Sequence, residues 1–294
     1  MAKTVIDEEF LGQIELLQTL IKNNVAGMFG GNHKSKTYGS SCEFADYREY
    51  TPGDDITKID WNAFARFEKL YTKLYLDERQ MHTRIYIDAS YSMGYGKGKK
   101  DEQALKLAAA FAYLSVCEMD KVSVYSIRDR QLTSVINGML GKEAFINSVG
   151  AFNNVEFGGD SFISEAIVPS TVGYGDGLSI IISDFLTDND FEAAIDHLAG
   201  KKRHVLCVQL LSREELTPKL RGKMHLFDSE DSGKYYRKNI TREIVKAYHQ
   251  ALDFVTGRIR GYCAARGADY MLVCAEDPLN KIFFENLVTE GVIK

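Results

Sequence analysis

Asp88-Ala89-Ser90-Tyr91-Ser92-Met93 places one carboxylate and two hydroxyls at alternate positions of a short segment. The run Arg84–Ile87 before it reads as a strand, so the segment falls at a strand's carboxyl end, where open α/β sheets bind ligands. A loop there can aim the Asp88 carboxylate and the Ser90 and Ser92 hydroxyls at one point. Such oxygens suit a hard cation, since Mg²⁺ takes about six oxygen ligands near ~2.1 Å and keeps several waters. Two neutral hydroxyls leave much of its charge uncompensated, so the ion would seek another carboxylate, for instance from a partner protein. Two further loops can complete the set. Strand candidate Leu178–Ser183 runs into Asp184, and Gly158-Gly159-Asp160-Ser161 precedes a helical pattern. Asp88 and Ser90 also suit a simpler role, capping a helix or closing a turn. Three such loops in this order favour the metal site.

A rival chemistry lies next to it. Gly94-Tyr95-Gly96-Lys97-Gly98-Lys99-Lys100 gives the strand, Gly-rich loop and helix order that cradles phosphates. The pattern G-x-x-x-x-G-K-[ST] is absent, however, and G-x-G-x-x-G fails at Lys99. A basic surface turn is the simpler reading. A second constellation, Tyr47-Arg48-Glu49-Tyr50-Thr51-Pro52-Gly53-Asp54-Asp55, continues through Ile59-Asp60-Trp61 to Ala65-Arg66. Pro52-Gly53 suits a type II turn, with proline pre-setting φ and glycine taking φ > 0. Asp54 or Asp55 can cap the next turn. Arg48 and Arg66 can pair with Glu49, Asp54, Asp55 or Asp60. The string reads as a rigid, salt-bridged clasp that holds the N-terminal segment on the core. The alternative is a recognition surface or a catalytic carboxylate cluster.

The elements that must position these loops alternate along the chain. Strand candidates are Arg84–Ile87, Val122–Ile127, Leu178–Ser183, Val205–Leu210 and Tyr270–Cys274, mostly continuous apolar runs of the kind buried on both faces. Helix candidates are 101–119, 142–151, 162–168, 190–199, 241–266 and 279–288. In the long one, Ile244, Tyr248, Ala251, Leu252, Val255 and Ile259 form one apolar stripe. This alternation predicts an α/β fold with a mostly parallel sheet and helices on both faces. Gln131–Ile136 follows its predecessor so closely that it reads as an antiparallel edge strand. Residues 1–82 differ. Phe10, Ile14, Leu17 and Ile21 define an amphipathic helix, a polar stretch spans Gly30–Ser41, and Leu70–Leu76 alternates like a strand.

Composition limits the function. The 294 residues suggest about two domains. The net charge of −5 lacks the electrostatic footprint of a nucleic-acid binder. The longest apolar stretch, Leu107–Leu114, is far short of the ~20 residues that span a bilayer. The N-terminus lacks the pattern of a signal peptide. Cys42, Cys117, Cys207, Cys263 and Cys274 are scattered and read as reduced core residues, with neither a disulfide framework nor a zinc site. The expectation is a cytoplasmic protein with no membrane span and no nucleic-acid partner.

Asp88, Ser90, Ser92, Ser161 and Asp184 together resemble the metal-ion-dependent adhesion site of von Willebrand factor type A domains. The string Y-R-E-Y-x-P-G-D-D…I-D-W…A-R, the D-x-S-x-S-M loop, Ser183-Asp184-Phe185 and Asp228–Gly233 resemble the bacterial family known as domain of unknown function fifty-eight, a divergent von Willebrand A-like branch. This resemblance implies a Rossmann-like three-layer A-type domain over 83–294, with residues 1–82 as an N-terminal helix and strand extension packed on it. It implies Mg²⁺, or Mn²⁺ or Ca²⁺, held by Asp88, Ser90, Ser92, Ser161 and Asp184. Ser161 stands where the family has threonine, and Asp160 beside it is an alternative ligand. The implied partner is a MoxR-type AAA+ ATPase or its client, supplying an Asp or Glu to the metal in chaperone-like maturation or metal insertion. The expected function is therefore a non-catalytic interaction module. The alternative is a metal-dependent phosphohydrolase or nuclease on the same cluster, with Asp54, Asp55 or Asp60 as base.

Overall fold

The computed structural model describes residues 4–24, 44–75, 81–94, 99–175, 177–219, 222–227 and 235–286. The chain divides into two compact units, residues 1–28 with 81–294, and residues 29–80. The first helix, α1 (Glu8–Asn24), belongs to the larger unit, although the sequence reading groups it with residues 1–82. Phe10, Ile14, Leu17 and Ile21 recur at helical spacing and are all buried. The Asp7 carboxylate accepts from the Phe10 N–H and starts the helix. The amides of Val5 and Ile6 both donate to Asn153 Oδ1, at 2.8 and 2.9 Å, which ties this end to a distant part of the chain.

The smaller unit holds strand β1 (Phe44–Glu49) antiparallel to β2 (Tyr71–Tyr75), with helix α2 (Trp61–Phe67) between them in sequence. The Asp54 N–H donates to the Thr51 carbonyl and Gly53 has φ +110°, which makes Thr51–Asp54 a turn that needs glycine at its third position. Asp55 caps a single 3₁₀ turn at Ile56–Lys58, and Asp60 caps α2. Glu68, left-handed at φ 54°, ends that helix.

The larger unit continues with β3 (His82–Asp88), the short α3 (Tyr91–Gly94), α4 (Lys100–Cys117), β4 (Lys121–Arg128), β5 (Gln131–Met139), α5 (Gly141–Asn153) and α6 (Ile163–Ile167). Next come β6 (Leu178–Ser183), α7 (Glu192–Gly200), β7 (His204–Leu211), α8 (Arg213–Leu216) and a hairpin of β8 (Gly222–Phe227) with β9 (Tyr235–Ile240). The chain then runs through α9 (Arg242–Ala265), β10 (Asp269–Cys274) and α10 (Leu279–Lys281) into one π turn at Ile282–Asn286.

Six strands form one sheet in the order β10-β7-β6-β3-β4-β5. Only the β4–β5 pair is antiparallel, as expected for an edge strand placed directly after its neighbour. On one face Tyr86, Ile181, Cys207 and Tyr270 pack with residues of α6, α7 and α9, including Ile163, Ile195 and Ile259. Strand alternation turns Ile85, Ile87, Ile180 and Ile182, all fully buried, to the opposite face. Helix α4 contacts β3, β4, β6 and β7, and it is buried along nearly its whole length. Its run of small alanines permits that close approach.

The sequence reading and the structure differ in places. Strands β1, β8 and β9 were not among the expected elements, because their patterns are mixed and polar. The apolar stripe of α9 is buried only in its second half, since Ile244 and Tyr248 are exposed while Leu252 and Ile259 are buried. The expected helix 279–288 widens into the π turn from Ile282 onward. Gly30–Ser41, Cys42, Asp228–Gly233 and residues 287–288 lie outside the described residues. Among the described residues no helix is long and apolar enough to cross a membrane.

Candidate functional site

Strands β3 and β6 are parallel neighbours with Ile87 opposite Ile182, so Asp88 and Asp184 emerge at the same edge of the sheet. The Ala89 N–H donates to the Ile127 carbonyl, and the Ser90 N–H turns back to Asp88 Oδ1 at 3.0 Å. Asp88 Oδ2 accepts two hydroxyls, Ser161 at 2.7 Å and Ser183 at 2.6 Å. Ser90 Oγ lies 3.2 Å from Ser92 Oγ. One buried carboxylate thus gathers groups from three separate segments of the chain. Asp184 Oδ1 accepts from the Leu186 N–H, and its carbonyl accepts from Gln209 Nε2, which in turn is held by the Tyr270 hydroxyl.

The third loop is aligned by its own backbone. The Gly158 N–H donates to the Ala89 carbonyl and the Tyr91 N–H donates to the Gly159 carbonyl, both at 2.8 Å. Gly159 adopts φ +75°, and a Cβ there would stand 2.5 Å from Asp129 Oδ1. Asp160 is bound to Asp129 through its backbone, its N–H donating to the carboxylate and its carbonyl accepting from the Asp129 N–H. Ser161, not Asp160, is the residue of this loop that bonds Asp88. The Ser161 carbonyl also accepts from Asn189 Nδ2.

Three residues of the cluster were not among the ligands expected from the sequence. Ser183 is the strand residue before Asp184. Lys100, placed above in a basic turn, is 3% exposed and donates to Asp184 Oδ2 at 2.8 Å and to Glu215 Oε1 at 2.7 Å. Glu215 is presented by a capping box, Ser212 to Glu215, whose S-x-x-E spacing is visible in the sequence. Nothing in the sequence announces that Lys100 reaches it. The phosphate-cradle alternative thus loses Lys100, because its ammonium is spent on two carboxylates. Residues 95–98 of that loop lie outside the described residues.

The electrostatics of the two acids differ. Burial, followed by the adjacent Asp184, pushes the Asp88 carboxyl above the usual range, against the pull of its three hydrogen bonds. Burial alone would lower the Lys100 ammonium, but Asp184 and Glu215 outweigh it and hold the amine protonated. Lys100 bonds Asp184 and not Asp88, and among the described residues no cationic side chain forms a hydrogen bond or ion pair with Asp88. Among the described residues no cluster of three or more His, Cys, Asp or Glu side chains could hold a metal. The sheet-edge set is two carboxylates and the hydroxyls of Ser90, Ser92 and Ser161. A hydroxyl that donates its proton to Asp88 keeps lone pairs for a cation. In donor type and in charge, this set fits a hard divalent ion.

The second constellation organises the smaller unit. Arg48 pairs with Asp54, which also accepts from the Thr51 N–H and hydroxyl. Asp60 accepts from the Tyr47 hydroxyl at 2.7 Å and from the Asn62 and Ala63 amides, and Lys73 stands 3.2 Å away. The Tyr47 hydroxyl and those amides hold its carboxyl at about 2. Glu49 meets Lys69 at 3.7 Å, not an arginine. Pro52 and Gly53 occupy the centre of the turn, and the Tyr50 N–H before it donates to the Leu70 carbonyl. Trp61 is 63% exposed and meets Phe64 edge to face, so it lies outside the ion-pair network. Arg66 is also exposed; with Tyr47, Asp60, Asn62, Ala63, Phe67 and Tyr71 it lines a cleft of about 660 Å³.

A family model described as "Protein of unknown function DUF58" matches residues 46–253. An uncharacterized protein of Mycobacterium tuberculosis H37Rv, Rv1480, is 22% identical over 229 residues, covering 76% of this chain and 72% of its own. The uncharacterized protein Mb1516 of Mycobacterium bovis matches to the same extent. Among solved structures, an aerotolerance-related membrane protein from Bacteroides fragilis aligns at 12% identity and a TM-score of 0.38, over 71% of this chain and 99% of that one. The pilus adhesin SpaC from Lactobacillus rhamnosus GG aligns at 11% identity and a TM-score of 0.34, over 61% and 31%.

Proposed function

The chain belongs to the DUF58 family, and on that premise we propose that it is a non-catalytic, metal-dependent protein-interaction module of the von Willebrand A type. The observation that carries this reading is Asp88. It is a fully buried carboxylate that collects Ser90, Ser161 and Ser183 from three segments of the chain while no cationic side chain among the described residues bonds it. A group so placed takes either a proton or a cation. In this proposal Asp88, Ser90, Ser92, Ser161 and Asp184 hold Mg²⁺, or Mn²⁺ or Ca²⁺ in its place. When bound, the ion supplies a positive charge that a partner's Asp or Glu completes. The chain's own residues do the positioning. Asp88 orients the hydroxyls, and the Gly158–Gly159 backbone sets the third loop against the first.

The partner we assign is a MoxR-type AAA+ ATPase or its client protein, in maturation or metal insertion, and a cytoplasmic setting goes with it. The hydrolase alternative asks Asp54, Asp55 or Asp60 to act as a base. All three carboxylates are already engaged by local donors, the Thr51 amide at Asp54, the Thr57 hydroxyl at Asp55 and the Tyr47 hydroxyl at Asp60, which lower their basicity. The test is titration of the full chain with the ATPase in Mg²⁺ and in EDTA. Binding should require Mg²⁺ and should vanish in Asp88→Ala. Binding indifferent to both refutes the proposal.

A further inference from the structure

The buried Lys100 ammonium plays no part in the function proposed above, yet it sits on one of that site's two carboxylates. It is 3% exposed, and it starts a helix that is buried along most of its length. Its two acceptors differ in how they are held. Asp184 follows directly on β6 and is fixed by the Leu186 amide. Glu215 belongs to the α8 capping box, with its second oxygen taking the Ser212 N–H at 2.6 Å, and Tyr248 donates to its carbonyl. A lysine with two pre-positioned carboxylates can give one up without losing its only partner.

We propose that Lys100 is the affinity-setting residue of the sheet-edge site, a tethered counter-cation that competes with a divalent ion for the Asp184 carboxylate and retreats to Glu215 when the ion binds. This rests on the reading of that edge as a cation site. The physical reason is charge. Asp88, Asp184 and Glu215 bring three acidic groups to one region, and Lys100 offsets one of them. An ion arriving beside Asp184 meets the ammonium as a like charge. At interior dielectric, one positive charge at such range is worth ~tenfold or more in affinity. The site is thereby held weak at rest, and any movement of α8 that draws Glu215 and Lys100 away strengthens it.

The experiment measures Mn²⁺ binding to the full chain, counting free Mn²⁺ by electron paramagnetic resonance, with the metal-induced rise in melting temperature as a second readout. Lys100→Met should bind Mn²⁺ ~tenfold or more tightly than the wild type. Lys100→Arg keeps the charge and should not tighten binding, which separates an electrostatic role from a merely structural one. Should Lys100→Met fail to fold, Lys100→Gln retains an N–H donor for Asp184 without the charge and carries the same expectation. Wild-type binding that Asp88→Ala abolishes but neutral Lys100 variants leave equal or weaker overturns the role of Lys100 and leaves the cation site standing. Absence of Mn²⁺ binding in wild type and neutral variants alike overturns both.

Discussion

Replacing Asp88 in two ways separates its shape from its charge. Asp88 accepts the Ser161 hydroxyl at 2.7 Å, the Ser183 hydroxyl at 2.6 Å and the Ser90 amide at 3.0 Å. Hydrogen bonds to a charged group contribute about 1.5–3 kcal/mol each, and a buried donor left alone costs about 1–3 kcal/mol. Asp88→Ala orphans all three donors but also removes a buried charge that lacks a cationic partner. The hydroxyls can rotate, whereas the amide cannot. The net loss should be about 3–5 kcal/mol. Asp88→Asn keeps the volume. Its carbonyl can take the Ser90 amide while its NH₂ donates to Ser161 and Ser183, whose hydroxyls accept as readily as they donate. Relief from the burial and from Asp184, which together raise the Asp88 carboxyl, then offsets the weaker bonds. Asp88→Asn should therefore change stability by no more than about 1 kcal/mol. The assay is urea unfolding followed by far-UV circular dichroism, with and without excess Mg²⁺. Wild type should gain about 2.7 kcal/mol when the ion stands at about 100 times its Kd, and both variants should gain nothing. An Asn variant as unstable as the Ala variant would refute the uncompensated-charge argument. A wild type indifferent to the metal would refute the cation site.

Two further outcomes rest on individual residues. Gly159→Ala must place a Cβ at φ +75°, 2.5 Å from the Asp129 carboxylate, and should cost about 1–3 kcal/mol in the same unfolding assay. A neutral result would mean that the Asp129 to Asp160 tie does not align the third loop. Burial, then Arg84, Arg203 and Lys121, lower His82 from 6.5 to about 4. Its folded value lies below its unfolded value, so the unfolded chain binds more protons between the two and stability falls as pH drops from 6.5 to about 4. The loss should total about 2–3 kcal/mol, with full stability above this window. His82→Gln, which can still meet Ser123, should flatten that part of the pH-stability curve. An unchanged slope would assign it to other groups.

The strands of the central sheet were legible because they lie between helices on both faces. Burial on both sides demands apolar runs, and Leu178–Ser183 carries three consecutive isoleucines, Ile180–Ile182. The edge strand β5 was legible for a different reason, since only a tight reversal fits between Arg128 and Gln131. Strands β1, β8 and β9 were not legible, because their polar, mixed-charge residues carry no clear period. The same contrast holds at the sheet edge. Asp88, Ser90 and Ser92 share one short loop, so their convergence can be read from spacing. Asp184 follows from the rule that parallel strands bring their carboxyl ends to one side, whereas Ser161 is placed by the backbone bonds of Gly158, Gly159 and Asp160 to Ala89, Tyr91 and Asp129.

Lys100 and Glu215 are 115 residues apart, and no spacing rule connects them. That Ser161 and not Asp160 bonds Asp88 is likewise a tertiary matter, since Asp129, from another part of the chain, holds the Asp160 backbone. Trp61, set among charges in the sequence, proves exposed in the first turn of the helix that Asp60 caps. Sequence alone indicated that Asp88, Ser90, Ser92 and Asp184 stand at one edge of the sheet, because burial and local turn chemistry are written in short stretches of chain. Tertiary structure decided how the charge of those oxygens is balanced, because a counter-ion acts through space and its partner can lie anywhere along the chain.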